Sequence, residues 1–188
     1  MKKLQFSFAF FLVLSFLQFS VPVWMIANRE MTLRHGKQFR FRTAPVDPYD
    51  AFRGRFVALQ VSPNFGPLSN SEKLAANKKV LAQLGEDNDG FAKIIAVSAN
   101  RPTASDYVAC RVNSLTDSLV YLQFPFDRYY MDEHAAPAAE AAYREHNRGE
   151  VREVYVTVRV KDGNAVVEEL FIAGMPILEF LRKSAYEK

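Results

Sequence analysis

Two short clusters of charged and aromatic residues are the parts of this sequence whose residue types could do chemistry. The first is a corner in which Asp47 and Asp50 precede Arg53 and Gly54. Two carboxylates can act as general acid and general base if they share a cleft from which water is excluded. They can equally accept backbone hydrogen bonds and pair with arginines, which stabilises a rigid turn. The sequence leaves both interpretations open.

The second cluster runs from Asp127 to Glu133 and contains two adjacent tyrosines. Either it forms a polar site beside the first cluster, or its tyrosines pack under a sheet while its charges face water. The candidate catalytic residues of the two clusters are Asp47, Asp50 and Glu133, and the candidate binding residues are Arg53, Gly54, Arg128 and Tyr129.

Familiar catalytic and cofactor motifs are absent from the sequence. It contains no P-loop, no dinucleotide-binding glycine pattern, and no H-E-x-x-H, C-x-x-C or G-x-S-x-G motif. With three histidines and one cysteine, neither a metal nor a cofactor is expected. The acidic run Glu86–Gly90 lacks the ligand spacing of an EF-hand and predicts an exposed turn. Cys110 lies in an apolar alternating run, which favours a buried thiol.

An uncharged stretch, Leu4–Ala27, predicts a helix that spans a lipid bilayer. Its 24 residues would extend about 36 Å as a helix, against a hydrocarbon core of about 30 Å. A cleaved signal peptide is the competing interpretation, but its apolar core is shorter, about 7 to 15 residues. No small-residue cleavage site is evident, so we favour an uncleaved signal anchor over residues 1–28.

The charges that flank the anchor predict its orientation. Lys2 and Lys3 precede it, whereas Arg29 and Glu30 nearly cancel behind it. The positive-inside rule then places the N-terminus in the cytoplasm and residues 29–188 on the periplasmic or extracellular side of the cytoplasmic membrane. The net charge of +3 comes from 24 basic and 21 acidic residues without a long basic run, so no nucleic-acid partner is expected.

Alternating apolar residues and turn signals predict a mainly β domain after the anchor. Thr32–Thr43 is predicted to be a hairpin with its turn at Gly36, and Lys161–Asn164 carries a second hairpin signal. The other predicted strands are 56–61, 91–99, 107–112, 118–124, 150–160 and 165–172. The strand 91–99 is apolar on both faces and is therefore expected at the centre of a sheet.

Two helices are predicted within this domain. A capping-box pattern followed by Leu74, Leu81 and Leu84 on one helical face indicates an amphipathic helix over 71–84. An alanine-rich stretch indicates a second helix over 137–147. The predicted fold class is therefore mainly β (α+β), an antiparallel barrel- or sandwich-like sheet with about two helices, preceded by a transmembrane helix.

Several of these motifs resemble one family. The pattern Asp47-Pro48-x-Asp50-x-Phe52-Arg53-Gly54 before a strand resembles the corresponding part of the GDYXXLXY proteins. These are bacterial membrane-anchored proteins named for the motif Gly-Asp-Tyr-x-x-Leu-x-Tyr. Further similarity runs from Phe126 to Glu133 and from the Lys161 hairpin to Pro176. This chain departs from the naming motif, because Gly54-Arg55-Phe56 replaces Gly-Asp-Tyr and Val61 replaces the final tyrosine. The resemblance implies no established reaction.

Three functional hypotheses follow. The first is a non-enzymatic, anchored module that binds or organises a partner in the cell envelope, and it rests on the anchor, the β-rich body and the missing catalytic motifs. The second is a hydrolase-like enzyme that uses the candidate carboxylates near the membrane. The third is a small-ligand or glycan binder, which predicts an open concave pocket rich in Tyr and Phe.

Overall fold

The computed structural model describes residues 2–44, 56–69, 74–102, 106–116, 119–148 and 153–186. Its helices are α1 (Lys2–His35), α2 (Ala136–His146) and α3 (Ile177–Tyr186). Its strands are β1 (Lys37–Ala44), β2 (Phe56–Ala58), β3 (Gln60–Ser62), β4 (Phe65–Pro67), β5 (Lys79–Glu86), β6 (Ala92–Ser98), β7 (Tyr107–Leu115), β8 (Leu119–Gln123), β9 (Arg128–Tyr130), β10 (Val154–Lys161), β11 (Asn164–Ile172) and β12 (Met175–Pro176).

The N-terminal helix α1 is long and apolar. Its segment Phe10–His35 is long enough to cross a membrane, and an 18-residue window within it has a mean hydropathy of 2.0 with none of its residues buried in the body. The exposed side chains include most of the large apolar residues between Phe10 and Ile26. A contiguous apolar surface of this size is solvated far better by lipid than by water.

The strands form two five-stranded sheets and a small ribbon. The first sheet has the order β12-β11-β10-β1-β3 and the second has the order β4-β8-β7-β5-β6, while β2 and β9 pair as a two-stranded ribbon. All strand pairings between the named strands are antiparallel. After β4, Leu68 bridges to Val97 of β6, so the second sheet curls into a nearly closed barrel. The predicted fold class is confirmed.

One apolar core holds the two sheets together. On the first sheet, the inward positions of β1 and β10 alternate with outward polar ones, as in Phe39 and Phe41 against Arg40 and Arg42. Phe41 packs edge-to-face against Phe124 and Phe126, with ring centroids 5.6 and 5.3 Å apart. These pairs add aromatic contact energy to the area that each ring buries.

The junction between α1 and the first sheet is tightly packed. Thr32, in the last turn of α1, is only 1% exposed, and its carbonyl accepts a hydrogen bond from the Gly36 backbone at 2.8 Å. The Gly36 carbonyl in turn accepts a bond from Arg159 Nη1 at 3.2 Å. Arg159 also forms a bidentate pair with Glu168, at 3.0 and 2.9 Å. The helix is therefore fixed to β10 and β11 without an intervening linker.

The strands of the first sheet run away from this junction. Lys37 opens β1 and pairs with Val160, so the β10–β11 turn lies beside the end of α1. Arg42 pairs with Tyr155 five residues further along β1, which is about 17 Å away. We call these the proximal and distal ends of the body.

Helix α2 closes the distal end. Ala136, Ala139 and Tyr143 are its buried residues, and the Tyr143 hydroxyl donates a 3.1 Å hydrogen bond to the Ala44 carbonyl at the end of β1. The predicted helix over 137–147 is confirmed to within one residue at each end. Pro137 in its first turn has no backbone N–H, which removes one donor that the helix start would otherwise leave unpaired.

The predicted helix over 71–84 is wrong where the structure describes it. Residues 79–84 belong to β5, in which Val80, Ala82 and Leu84 face the core, and Gly85 lies within the strand instead of ending a helix. Residues 71–73 lie outside the described part of the chain. The leucine spacing fitted a helix, but pairing with β6 on one side and β7 on the other overrides that local preference.

Other boundaries also differ from the predictions. Thr32–His35 continues α1, so the predicted hairpin turning at Gly36 is a helix-to-strand junction instead. The strand predicted over 56–61 is divided at Leu59 between the ribbon and the first sheet. The strand 91–99 forms as β6, but it ends the strand order and Ile95 on its outer face is 45% exposed, so its central position was wrong.

Candidate binding site

The ribbon of β2 and β9 places one of the two predicted clusters on a surface. Phe56 pairs with Tyr130, Val57 with Tyr129, and Ala58 with Arg128. Val57 is fully buried, and since side chains alternate along a strand, its neighbours point the other way. The ribbon therefore has a buried face and an outer face.

The outer face of the ribbon carries an aromatic and cationic patch. The Arg128 guanidinium carbon lies 4.9 Å from the centroid of the Phe56 ring, within cation–π range. The Phe56 and Tyr130 rings lie 5.8 Å apart at 60°, and Tyr130 is 65% exposed. We call Phe56, Arg128 and Tyr130 the ribbon patch. Exposed Tyr and Arg are the residue types enriched at the energetic centres of protein interfaces.

Tyr129 occupies the opposite face. Its hydroxyl donates a 2.6 Å hydrogen bond to Glu169 Oε1 on β11, the same oxygen that accepts the Leu170 backbone N–H at 3.0 Å. Burial, together with this bond, raises the pKa of Tyr129 well above its ordinary value. Tyr129 thus fastens the ribbon to the first sheet. Arg128 and Tyr129 were both predicted to bind a partner, but only Arg128 lies on the outer face.

The candidate catalytic residues are only partly described. Glu133 lies in the turn between β9 and α2, with its carboxylate 4.0 Å from His134 Nε2. Asp47, Asp50, Arg53 and Gly54 all lie outside the described residues. Within the described part of the chain, no group of three His, Cys, Asp or Glu side chains is placed to hold a metal ion.

A groove at the distal end of the first sheet is a second candidate, which the sequence did not predict. It has a volume of about 300 Å³ and is bordered by Phe91, Tyr155, Arg42 and Glu153, with Ala173 and Gly174 at its rim. The Tyr155 ring stacks on Phe171 with centroids 4.8 Å apart and meets the Phe91 ring edge-on at 5.6 Å. The register of β10 and β11 pairs Tyr155 with Phe171, and packing of the two sheets brings Phe91 to them.

Arg42 joins this groove to the acidic turn Asp87–Gly90. Its guanidinium pairs with Asp87 and, at 2.8 Å, with Asp89, while it lies 4.1 Å from the centre of the Phe91 ring. The bond from Arg42 is the largest cause that lowers the pKa of Asp87. The acidic run thus forms the predicted turn, and a cation on β1 neutralises part of its charge.

Cys110 is buried as predicted. It lies in β7 with 3% of its surface exposed, and burial raises the pKa of its thiol to about 12. A thiol with this pKa is almost entirely protonated near neutral pH and is a poor nucleophile.

Comparison with known proteins gives one match. A family model described as "GDYXXLXY protein" matches residues 18–170, which is most of the chain. Neither the curated proteins nor the solved structures contain a significant match. Gly54 and Leu59 match the glycine and the leucine of the pattern in that family description, so Phe56 of the ribbon patch and the buried Leu59 lie in the segment that resembles it.

Proposed function

Since the chain belongs to the GDYXXLXY family and carries one apolar helix long enough to span a membrane, we propose that it is a single-pass membrane protein of the cell envelope. It acts as a non-enzymatic binding module that engages an envelope or membrane protein through its ribbon patch. Residues 4–27 of α1 lie in the lipid bilayer, and residues 29–188 form the binding domain.

The flanking charges support a defined orientation in the cytoplasmic membrane. Lys2 and Lys3 remain in the cytoplasm under the positive-inside rule, so the body lies on the periplasmic or extracellular side. Trp24 falls near the far end of the apolar stretch, where an indole ring favours the membrane interface. The exposed apolar side chains of α1 gain solvation energy in lipid that water does not offer.

The ribbon patch is the single observation that carries the binding role. Phe56 and Tyr130 present two rings on a strand pair whose other face is buried and pinned by the Tyr129–Glu169 bond. A rigid aromatic surface loses little side-chain entropy on association, which makes such residues effective contact centres. Arg128 adds a charge that selects for a partner with an acidic or carbonyl-rich surface.

Site-specific photo-crosslinking tests this role. The full-length chain carries a photoreactive phenylalanine analogue at position 130 and, as a matched control, at the half-exposed Phe65 on β4. We expect a discrete adduct from position 130 in native membranes that Arg128→Ala reduces and that position 65 does not give. Identical patterns from both positions, or no adduct from either, would contradict the proposal.

The distal groove supports a second candidate function, the binding of a small ligand such as a glycan. It is open, concave and lined by Phe91 and Tyr155, as this hypothesis requires, and Arg42 and Glu153 provide polar groups that can bind hydroxyls. Its volume of about 300 Å³ suits a group no larger than about one sugar ring. Binding of envelope glycan fragments that Tyr155→Ala abolishes and Tyr130→Ala leaves unchanged would favour this function over the first.

A further inference from the structure

A large cavity lies at the proximal end, where α1 meets the body. It has a volume of about 740 Å³, and its walls come from the end of α1, the start of β1, the β10–β11 turn and residues 101, 102 and 106. Its described lining residues are His35, Lys37, Arg101, Pro102, Asp106, Tyr107, Val160, Lys161 and Asp162. Neither the ribbon patch nor the distal groove shares a residue with it.

Basic groups outnumber acidic ones in this cavity. Lys37 Nζ lies 3.0 Å from Asp106, and Arg101 Nη2 lies 3.1 Å from Asp162. Glu86 also lies 3.7 Å from Lys37 Nζ, so three carboxylates pair with Lys37 and Arg101, while Lys161 has no ion pair among the described residues. The unpaired ammonium of Lys161 and the guanidinium of Arg101, which pairs with one carboxylate, keep N–H donors for a further anion.

The two paired cations each also contact an aromatic ring. Arg101 also lies over the Tyr107 ring, 5.5 Å from its centroid, and Lys37 lies 4.7 Å from the ring of Phe39. The hydrogen bond to Asp106 is the largest of the influences that raise the pKa of Lys37, so this side chain stays charged at physiological pH. Fixed cations lose less side-chain entropy when they bind an anion than free ones do.

The position of the cavity relative to the anchor indicates what could enter it. Residues 28–35 continue α1 for about 12 Å beyond the apolar stretch. The headgroup layer extends about 5 to 7 Å from the hydrocarbon on each side of a bilayer. A cavity that begins at His35 therefore opens about 5 to 7 Å beyond the outer edge of that layer, whose phosphate groups are its main anions.

We propose that the proximal cavity binds a phosphate group, supplied either by the headgroup of an anionic phospholipid or by phosphate free in solution. Lys161 and Arg101 are the main contacts, and Lys37 adds a third cation. The lipid source rests on the proposed insertion of α1 in a bilayer, whereas the soluble source does not.

Lysine footprinting of the full-length chain in nanodiscs tests this site and separates the two sources. Three conditions are compared. The chain is placed in nanodiscs of phosphatidylcholine alone, in nanodiscs of phosphatidylcholine with phosphatidylglycerol, and in phosphatidylcholine nanodiscs with added inorganic phosphate. Acylation of Lys161 is measured against acylation of Lys79, an exposed residue at the start of β5. We expect anionic lipid or phosphate to slow acylation of Lys161 about five-fold and to leave Lys79 unchanged.

A matched pair of variants provides the control. Arg101→Gln removes a cavity cation and should abolish the protection of Lys161, whereas Arg111→Gln, an exposed change on β7, should preserve it. Protection by the lipid alone assigns a headgroup, and protection by inorganic phosphate assigns a soluble ligand. Equal protection of Lys79 and Lys161, or none in either condition, would overturn the proposal. Flotation of the chain with liposomes checks the insertion of α1 separately.

Discussion

Replacement of Gly36 by alanine tests whether the junction between α1 and the body is as rigid as its packing indicates. A Cβ atom on Gly36 would fall less than 3.0 Å from the Thr32 carbonyl oxygen and 3.1 Å from both the nitrogen and the oxygen of Val160. All three are backbone atoms, so none can rotate away. The helix end or β10 must move to admit the methyl group.

The size of the effect follows from these contacts. Overpacking a rigid site costs about 1 to 3 kcal/mol. A shift of Gly36 also weakens its 2.8 Å hydrogen bond to Thr32, worth about 1 kcal/mol. We therefore expect Gly36→Ala to lower the free energy of unfolding of the body by about 2 to 4 kcal/mol.

Urea unfolding of the full-length chain in a mild detergent, followed by circular dichroism of the strands, measures this change. Gly85→Ala is the matched control, because its added methyl would meet the end of the Ile95 side chain, which is 45% exposed and can move aside. Its effect should stay within about 1 kcal/mol. If Gly36→Ala were as stable as Gly85→Ala, the junction would not be rigid and our reasoning would fail.

Two further predictions concern titratable groups. The bond from Arg159 lowers the pKa of Glu168 below its ordinary value of 4.5, so this pair stabilises the fold above about pH 5 and loses that contribution as the pH falls through the lowered value. The melting temperature of Glu168→Gln should consequently fall less than that of the wild type on acidification from about pH 5 to pH 3, and parallel curves would contradict the pair's contribution. Cys110, with its thiol pKa raised to about 12, should react with a disulfide reagent only as urea unfolds the body. Rapid reaction of the native protein would show that the thiol is accessible.

The sequence predicted strands best where one face of the strand is buried and the other is polar. Val154, Val156, Val158 and Val160 of β10 all face the core, so their alternation reports their environment directly. The hairpin after β10 was also predictable, because Asp162 and Gly163 both adopt the positive φ that a tight two-residue turn requires. The leucine-rich sequence of β5 suits either a helix or a strand, and only pairing with β6 and β7 decides between them.

The candidate site was harder to predict than the fold. Arg128 and Tyr129 are neighbours in sequence, but successive residues of a strand point to opposite faces, so one is exposed and the other is buried against Glu169. The distal groove draws Phe91 and Tyr155 from segments that meet only through tertiary packing. No local sequence pattern predicts that two such distant segments come into contact.

The unbroken connection through Gly36 makes α1 and the first sheet behave as a lever. With Arg42 about 17 Å from Lys37 along β1, a change of about 10° in the tilt of α1 would displace the groove sideways by about 3 Å. A displacement of that size equals the length of one hydrogen bond. With α1 inserted as proposed, a change in bilayer thickness that alters its tilt would therefore shift a groove about 17 Å from the junction.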